Sequence, residues 1–183
     1  MKLQNALNQK GPHIRERWLD LIIETYPSDS KRFLKEQKDR FANPVGSTLS
    51  REVETLYHEL VHDMDSKNLD ASLDRIARIR AVQDFSPSQA MGFVFLLKRV
   101  LRQELDQEIK ESPAASEEML TLESRLDDMA LRGFDLYMKC REQVYEIRAK
   151  EAKNHVSRLL QKAGLLCEVP TWDSERKKDD ILV

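Results

Sequence analysis

The chain has 183 residues, 40% of them hydrophobic and 34% charged, with only five glycines and six prolines. This composition suits a charged helical surface around an apolar core and disfavours disorder and all-β folds. The formal net charge is −2 without a basic stripe, so we do not expect nucleic acid as a partner. The longest apolar run, residues 90–97, is far shorter than the roughly 18 to 20 residues of a membrane span, so we expect no membrane insertion.

The first helical region is predicted to consist of two pieces, residues 2–9 and 13–26. Gly11 and Pro12 lie between them, and proline fits the first turn of a helix better than its interior. The second piece carries an apolar face with helical spacing, formed by Ile14, Trp18, Leu21 and Ile22. A short helix over residues 29–38 follows.

The third helix is predicted to begin at Pro44, with Asn43 as its N-cap, and to end near Met64. Its apolar stripe comprises Leu49, Val53, Leu56, Leu60 and Met64. A polar cluster at residues 65–68 ends this helix, and the next helix is predicted over residues 69–82.

Residues 84–89 carry the clearest local signal in the chain. Ser86 is predicted as an N-cap, Pro87 as the first helical residue, and Gln89 as the partner that completes a capping box. The helix that starts here is apolar nearly all round over residues 90–97, which is typical of a central helix. It then turns amphipathic through Val100, Leu101, Leu105 and Ile109.

A long helix is predicted over residues 116–163, with Gly133 as the point where it could bend. Its apolar positions alternate at spacings of three and four: Met119, Leu122, Leu126, Met129, Gly133, Leu136 and Cys140. This seam either covers the domain's own core or pairs residues 116–147 with a second copy in a homodimer. From residue 165 the helical period ends, and Trp172 lies in a tail without regular pattern.

These elements predict an all-α, compact multi-helix bundle in three parts. Residues 1–112 form the helical domain, residues 113–164 a long linker-like helix, and residues 165–183 an irregular tail. The cysteines, Cys140 and Cys167, lack a second thiol at metal-site spacing, and the N-terminus does not resemble a signal peptide, so we expect a cytoplasmic protein. No nucleophile–base set or glycine-rich phosphate loop is recognisable, so we predict a protein that is not an enzyme and needs no cofactor.

One motif is instead typical of a zinc-dependent enzyme. Residues 58–62 match H-E-x-x-H, in which His58 and His62 would bind zinc and Glu59 would act as general base. No further histidine follows at the spacing of the larger zinc motifs, and helical spacing places both histidines opposite the apolar stripe. We therefore expect both to face water and to capture metal only adventitiously.

Arg80 is the other unusual residue, because it shares a helical face with Leu69, Leu73 and Ile76. One interpretation is a pocket in which Arg80, Gln83 and Lys98 bind an anionic ligand or a partner carboxylate, bordered by Phe93 and Phe95. The alternative is an internal ion pair with Asp84 or another acid, or a side chain that reaches out to solvent.

Two segments resemble the hallmark stretches of the RsbRD N-terminal domain family. They are KDRFANPVG at residues 38–46 and IRAVQDFSPSQAMGFVFLLK at residues 79–98, and the resemblance spans about residues 14–105. It implies a bacterial regulatory role, because such domains typically form the sensory N-terminal part of RsbT co-antagonist proteins or signalling kinases. Related stressosome proteins carry a non-haem, globin-like sensor, a linker helix and a STAS domain.

No STAS sequence follows the long helix, so the resemblance implies a stand-alone sensor or adaptor in stress signalling. Its expected partner is a signalling kinase, a STAS protein or a larger complex. Two other functions stay open: a structural or assembly subunit of a larger complex, and a zinc-dependent hydrolase that uses the H-E-x-x-H motif.

Overall fold

A computed structural model describes residues 2–37, 39–62 and 65–164. Within these ranges the chain forms seven α-helices and no strand, which confirms the predicted all-α class. The helices are α1 (Lys2–Glu24), α2 (Ser28–Glu36), α3 (Pro44–Val61), α4 (Ser66–Val82), α5 (Pro87–Glu104), α6 (Asp106–Glu111) and α7 (Pro113–Lys162). Four predicted features lie outside the described residues: Lys38, Met64, Cys167 and the tail with Trp172.

The helices divide into two units. Residues 1–144 form one compact unit, and Tyr145 begins the second. The first unit therefore extends past the predicted limit at residue 112, because the N-terminal part of α7 supplies core side chains. In the second unit, the described residues 145–164 expose their side chains to solvent. No helix among the described residues combines the length and apolarity needed to cross a bilayer.

The prediction of a break at Gly11 and Pro12 is wrong, because α1 runs through both residues. Pro12 has no amide to donate to the carbonyl of Asn8, and a proline inside a helix costs about 3 kcal/mol. Core packing on both sides of the proline outweighs this cost, and Pro12 itself is exposed, so water can reach the freed carbonyl. The buried side chains that flank it are Leu3, Ala6, Leu7, Ile14 and Trp18.

The predicted caps of α3 and α5 are confirmed. The Asn43 side chain accepts from the Gly46 amide at 2.8 Å, with Pro44 as the first helical residue. At α5, Ser86 and Gln89 form the complete capping box. The apolar stripe of α3 is buried at each described position, as predicted. The polar cluster after α3 is predicted to precede α4, but α4 already begins within it at Ser66. Asp65 is the N-cap, and its side chain accepts from the Lys67 amide at 2.9 Å.

Helix α5 packs against α1, α4 and α6, but it is not enclosed on every side as predicted. Phe95 is 54% exposed, because it lies on the face turned away from its buried neighbours Phe93 and Val94. The helix also ends earlier than the apolar pattern suggested. Glu104 is its last residue, and there Lys10 donates to the Glu104 carbonyl at 2.6 Å.

The seam of α7 faces the domain's own core. Its members are buried except for the half-buried Leu136, so the seam between Met119 and Cys140 is not available for pairing with a second copy. Helix α7 is unbroken at Gly133, where the lack of a side chain permits close packing instead. A Cβ atom there would lie 2.7 Å from the sulfur of Met91.

Candidate functional site

The junction between α4 and α5 shapes the candidate site. Gln83 is the C-cap of α4, and Asp84 follows in the left-handed region with φ of 59°. The Phe85 amide then donates to the Arg80 carbonyl at 3.2 Å, as in a Schellman motif. This turn brings the Phe85 ring to 5.0 Å from the Arg80 guanidinium carbon.

The guanidinium of Arg80 is fully buried. Its Nη1 donates to the carbonyls of Gln89 and Ala90 at 2.8 and 3.1 Å, in the first turns of α5. Its Nη2 donates to the hydroxyl of Thr25 at 3.3 Å, which lies just after α1. Arg80 therefore connects three helices through neutral acceptors only.

Aromatic rings surround this cation. The ring centroids of Phe85, Phe93 and Tyr26 lie 5.0, 5.3 and 5.7 Å from the guanidinium carbon, so each ring offers a cation–π contact. No carboxylate of the described residues forms an ion pair with Arg80. The predicted internal ion pair with Asp84 is wrong, because Asp84 binds Arg141 at 2.9 Å, and full burial also excludes the solvent-reaching alternative.

Two polar atoms at this centre make no hydrogen bond of standard length and angle with the described residues, although each lies close enough to the other residue's side chain for an Arg80–Tyr26 interaction. They are the Nε of Arg80 and the hydroxyl of Tyr26, and both are buried. Burial lowers the pKa of Arg80, while the neighbouring Tyr26 acts in the opposite direction. Burial likewise raises the pKa of Tyr26, and the Arg80 charge and a hydrogen bond from Arg80 offset part of that rise. Because a tyrosine hydroxyl that accepts from Arg80 still has its own hydrogen to donate, the centre could satisfy a further acceptor atom.

Tyr26 also lines a surface cleft of about 380 Å³, which we call the Tyr26 cleft. Its walls come from α2, the start of α3 and the end of α4, and they are mainly apolar. The lining residues are Tyr26, Asp29, Ser30, Phe33, Leu34, Asn43, Pro44, Val45 and Gln83. Tyr26 is therefore the side chain that both lines the cleft and contacts Arg80.

The structure brings together only part of the predicted pocket. Phe93 contacts Arg80 and also stacks on Trp18, while Gln83 lines the Tyr26 cleft. Lys98 instead binds Asp127 on α7 at 3.1 Å, about 12 Å further along α5 from Ala90. Phe95 points to solvent. Lys98 and Phe95 therefore do not belong to this site.

Tyr26 and Thr25 are the site residues that sequence reasoning missed. Tyr26 directly precedes Pro27, and this pattern predicts the end of a helix but not a site residue. The structure buries Tyr26, which is 5% exposed. The signal in the sequence that could have indicated this is a large aromatic residue at a helix end, because such residues are often buried. The contact of both residues with Arg80 joins positions more than fifty residues apart in the sequence.

The H-E-x-x-H motif has a structural explanation. The rings of His58 and His62 stack at 4.4 Å and are solvent-exposed as predicted. Glu59 is 7% exposed and accepts from the Asp65 amide at 2.8 Å and from the Asn68 side chain at 3.3 Å. Its carboxylate thus joins α3 to α4. The described residues contain no group of three or more metal-binding side chains.

The fold and this site together define an all-helical domain built around a buried cation. The family model described as the RsbT co-antagonist protein rsbRD N-terminal domain matches residues 12–152. The chain therefore belongs to this family of regulatory signalling domains, and the match extends beyond the predicted limit at residue 105 into the second half of α7.

The chain is also similar to one curated protein, and it matches no solved structure. An uncharacterised protein of Archaeoglobus fulgidus is 26% identical to this chain over 141 residues, which is 74% of this chain and 80% of the archaeal protein. No solved structure matches the chain, so the globin-like arrangement implied by the resemblance stays a prediction.

Proposed function

We propose that this regulatory domain is a cytoplasmic, non-catalytic sensor or adaptor that binds a small anionic ligand beside Arg80 and acts through protein contacts. The observation that carries the proposal is the buried guanidinium without a carboxylate partner among the described residues. A buried charge costs several kcal/mol of solvation free energy, and this cost is normally offset by an opposite charge. An anionic ligand would supply that charge.

The surroundings of Arg80 indicate the kind of ligand. The Arg80 Nε and the Tyr26 hydroxyl both carry a hydrogen that can be donated and make no standard hydrogen bond outside this pair, which suits a carboxylate or another oxyanion. The apolar walls of the Tyr26 cleft suit a small hydrophobic body attached to it. Asp29 at the cleft disfavours a second negative charge, so we expect a monoanion. Tyr26 lines the cleft and its ring also lies 5.7 Å from the Arg80 guanidinium carbon, so we expect a ligand in the cleft to reach Arg80 by displacing this ring.

The expected partner remains a signalling kinase, a STAS protein or a larger complex, as family membership suggests. Pairing of two copies through α7 would have to use a surface other than the buried seam. No described contact favours the zinc-dependent hydrolase, because Glu59 is occupied in joining α3 to α4. The assembly-subunit alternative relied on the buried seam and on Trp172, which lies outside the described residues.

Thermal unfolding in the presence of benzoate and acetate tests the proposal. Benzoate carries a carboxylate on a small apolar body, and acetate provides nearly the same charge without that body. We expect benzoate to raise the Tm in a saturable manner, since a ligand that binds only the folded state stabilises it. Acetate should raise it less at the same concentration.

Arg80→Met is the informative variant, because it keeps an unbranched apolar stem and removes the charge. The matched control is Arg78→Met on the same helix, where the side chain is exposed and binds Asp74. We expect Arg80→Met to lose the benzoate response and Arg78→Met to keep it. A response of equal size in wild type and Arg80→Met would refute the proposed ligand site, as would no response in wild type to benzoate, acetate, phosphate or sulfate.

A further inference from the structure

A second surface lies at the turn between α2 and α3. Phe41 is 95% exposed, more than any other large hydrophobic side chain that the structure describes. Arg40 beside it is also exposed and forms no ion pair within the described part of the chain. We call residues 39–43 the Phe41 knuckle.

Hydrogen bonds hold the knuckle in one shape. The Asp39 carboxylate accepts from the Phe41 amide at 2.9 Å, and the Asp39 carbonyl accepts from the Asn43 amide at 2.8 Å. The side-chain amide of Asn43 (Nδ2) donates to the backbone carbonyls of Leu34 and Gln37 at 3.1 and 3.0 Å. A surface that is ordered before binding loses little conformational entropy when a partner docks. The exposed phenyl ring is thus presented on a preorganised support.

A shallow cleft of about 370 Å³ adjoins the knuckle. Its lining residues are Arg40, Phe41, Pro44, Ser47, Thr48 and Arg51, which include two guanidinium groups and no carboxylate. Arg51 binds Glu52 at 2.7 Å, but Glu52 also binds Arg75 at 2.7 Å. One buried carboxylate therefore serves two arginines, so the charged side chains that line the cleft itself, Arg40 and Arg51, are both positive. The carboxylate of the neighbouring Asp39 is held by the Phe41 amide within the knuckle.

We infer that the Phe41 knuckle and this cleft form a docking site for an acidic segment of a partner protein that also carries an apolar side chain. Exposed aromatic residues and arginines at the centre of a rigid patch are typical of interface hot spots. A second copy would bring the same positive charges face to face. A membrane would need a wider apolar surface than a single phenyl ring.

This inference rests on the proposed action through protein contacts and is independent of the ligand beside Arg80. Its test is selection of a phage-displayed random peptide library on the immobilised full chain. Individual selected peptides are then synthesised, and their Kd values for wild type and variants are measured by fluorescence anisotropy. We expect enriched peptides in which Asp or Glu adjoins Leu, Phe or Trp.

Three variants locate the binding site. Phe41→Ala should weaken binding at least about tenfold, since loss of a hot-spot side chain costs more than about 1.4 kcal/mol. Arg40→Glu should weaken it to a similar degree, and Arg40→Lys should keep most of the affinity. Phe95→Ala is the matched control, because it makes the same chemical change at a half-exposed position on α5. An unchanged Tm in Phe41→Ala establishes that the fold is intact.

The possible results separate this inference from the proposed function. Selected peptides that bind wild type and Phe41→Ala equally would overturn the inference while leaving other protein contacts open. Failure to enrich any peptide would overturn the inference, whereas the proposed ligand site is tested separately by the benzoate response of wild type and Arg80→Met. Binding of the full chain to anionic phosphatidylserine vesicles, lost in Phe41→Ala without any peptide binding, would replace the protein partner by a membrane surface and overturn the inference.

Discussion

The side chain of Asn43 should contribute more to stability than an ordinary helix cap. It is 3% exposed, accepts from the Gly46 amide and donates to the carbonyls of Leu34 and Gln37. Loss of an N-cap costs about 1 kcal/mol, and each of the other two hydrogen bonds contributes about 1 kcal/mol. Asn43→Ala should therefore lower the free energy of unfolding by about 3 kcal/mol.

Two further variants separate these contributions. Asn43→Asp keeps the capping oxygen but loses both donors, so it should lower the free energy of unfolding by about 2 kcal/mol or more. Ser86→Ala removes the exposed cap of α5 and should cost only about 1 kcal/mol. The assay is urea denaturation followed by far-ultraviolet circular dichroism, with the midpoint and slope fitted together.

The three variants give a ranking that can fail. If Asn43→Asp is as stable as wild type and Asn43→Ala costs no more than Ser86→Ala, the bonds from Asn43 to α2 contribute nothing. The reasoning on the rigidity of the Phe41 knuckle would then be refuted as well, because those same bonds connect the knuckle to α2.

Two further predictions concern α1 and α3. Pro12→Ala restores an amide donor for the Asn8 carbonyl and should raise the free energy of unfolding by about 1 to 3 kcal/mol, whereas lower stability in urea denaturation would show that α1 requires its proline. Burial raises the pKa of Glu52, but hydrogen bonds from Arg51 and Arg75, among others, outweigh burial and bring the pKa below its ordinary 4.5. The wild type should therefore lose stability more steeply than Glu52→Gln as the pH falls from about 5 to 3, and equal slopes would contradict this.

Part of the candidate site could be predicted from the sequence. The position of Arg80 on an apolar helical face indicated a buried guanidinium, and the structure confirms its burial. Its acceptors on α1 and α5 could not be predicted, since a helical pattern reports which face is buried and not which side chains meet there. For the same reason the prediction places Lys98 beside Arg80, although Lys98 binds Asp127.

Local patterns in the sequence were sufficient to predict the helical class and the starts of α3 and α5. These features depend on contacts within a few residues, such as the bond between Asn43 and Gly46, so the local residue types contain the necessary information. Local patterns could not predict that α1 continues through Pro12 or that the seam of α7 faces the domain's own core. Both outcomes depend on burial against side chains that are distant in the sequence, and the free energy of that burial exceeds the local preferences that the sequence displays.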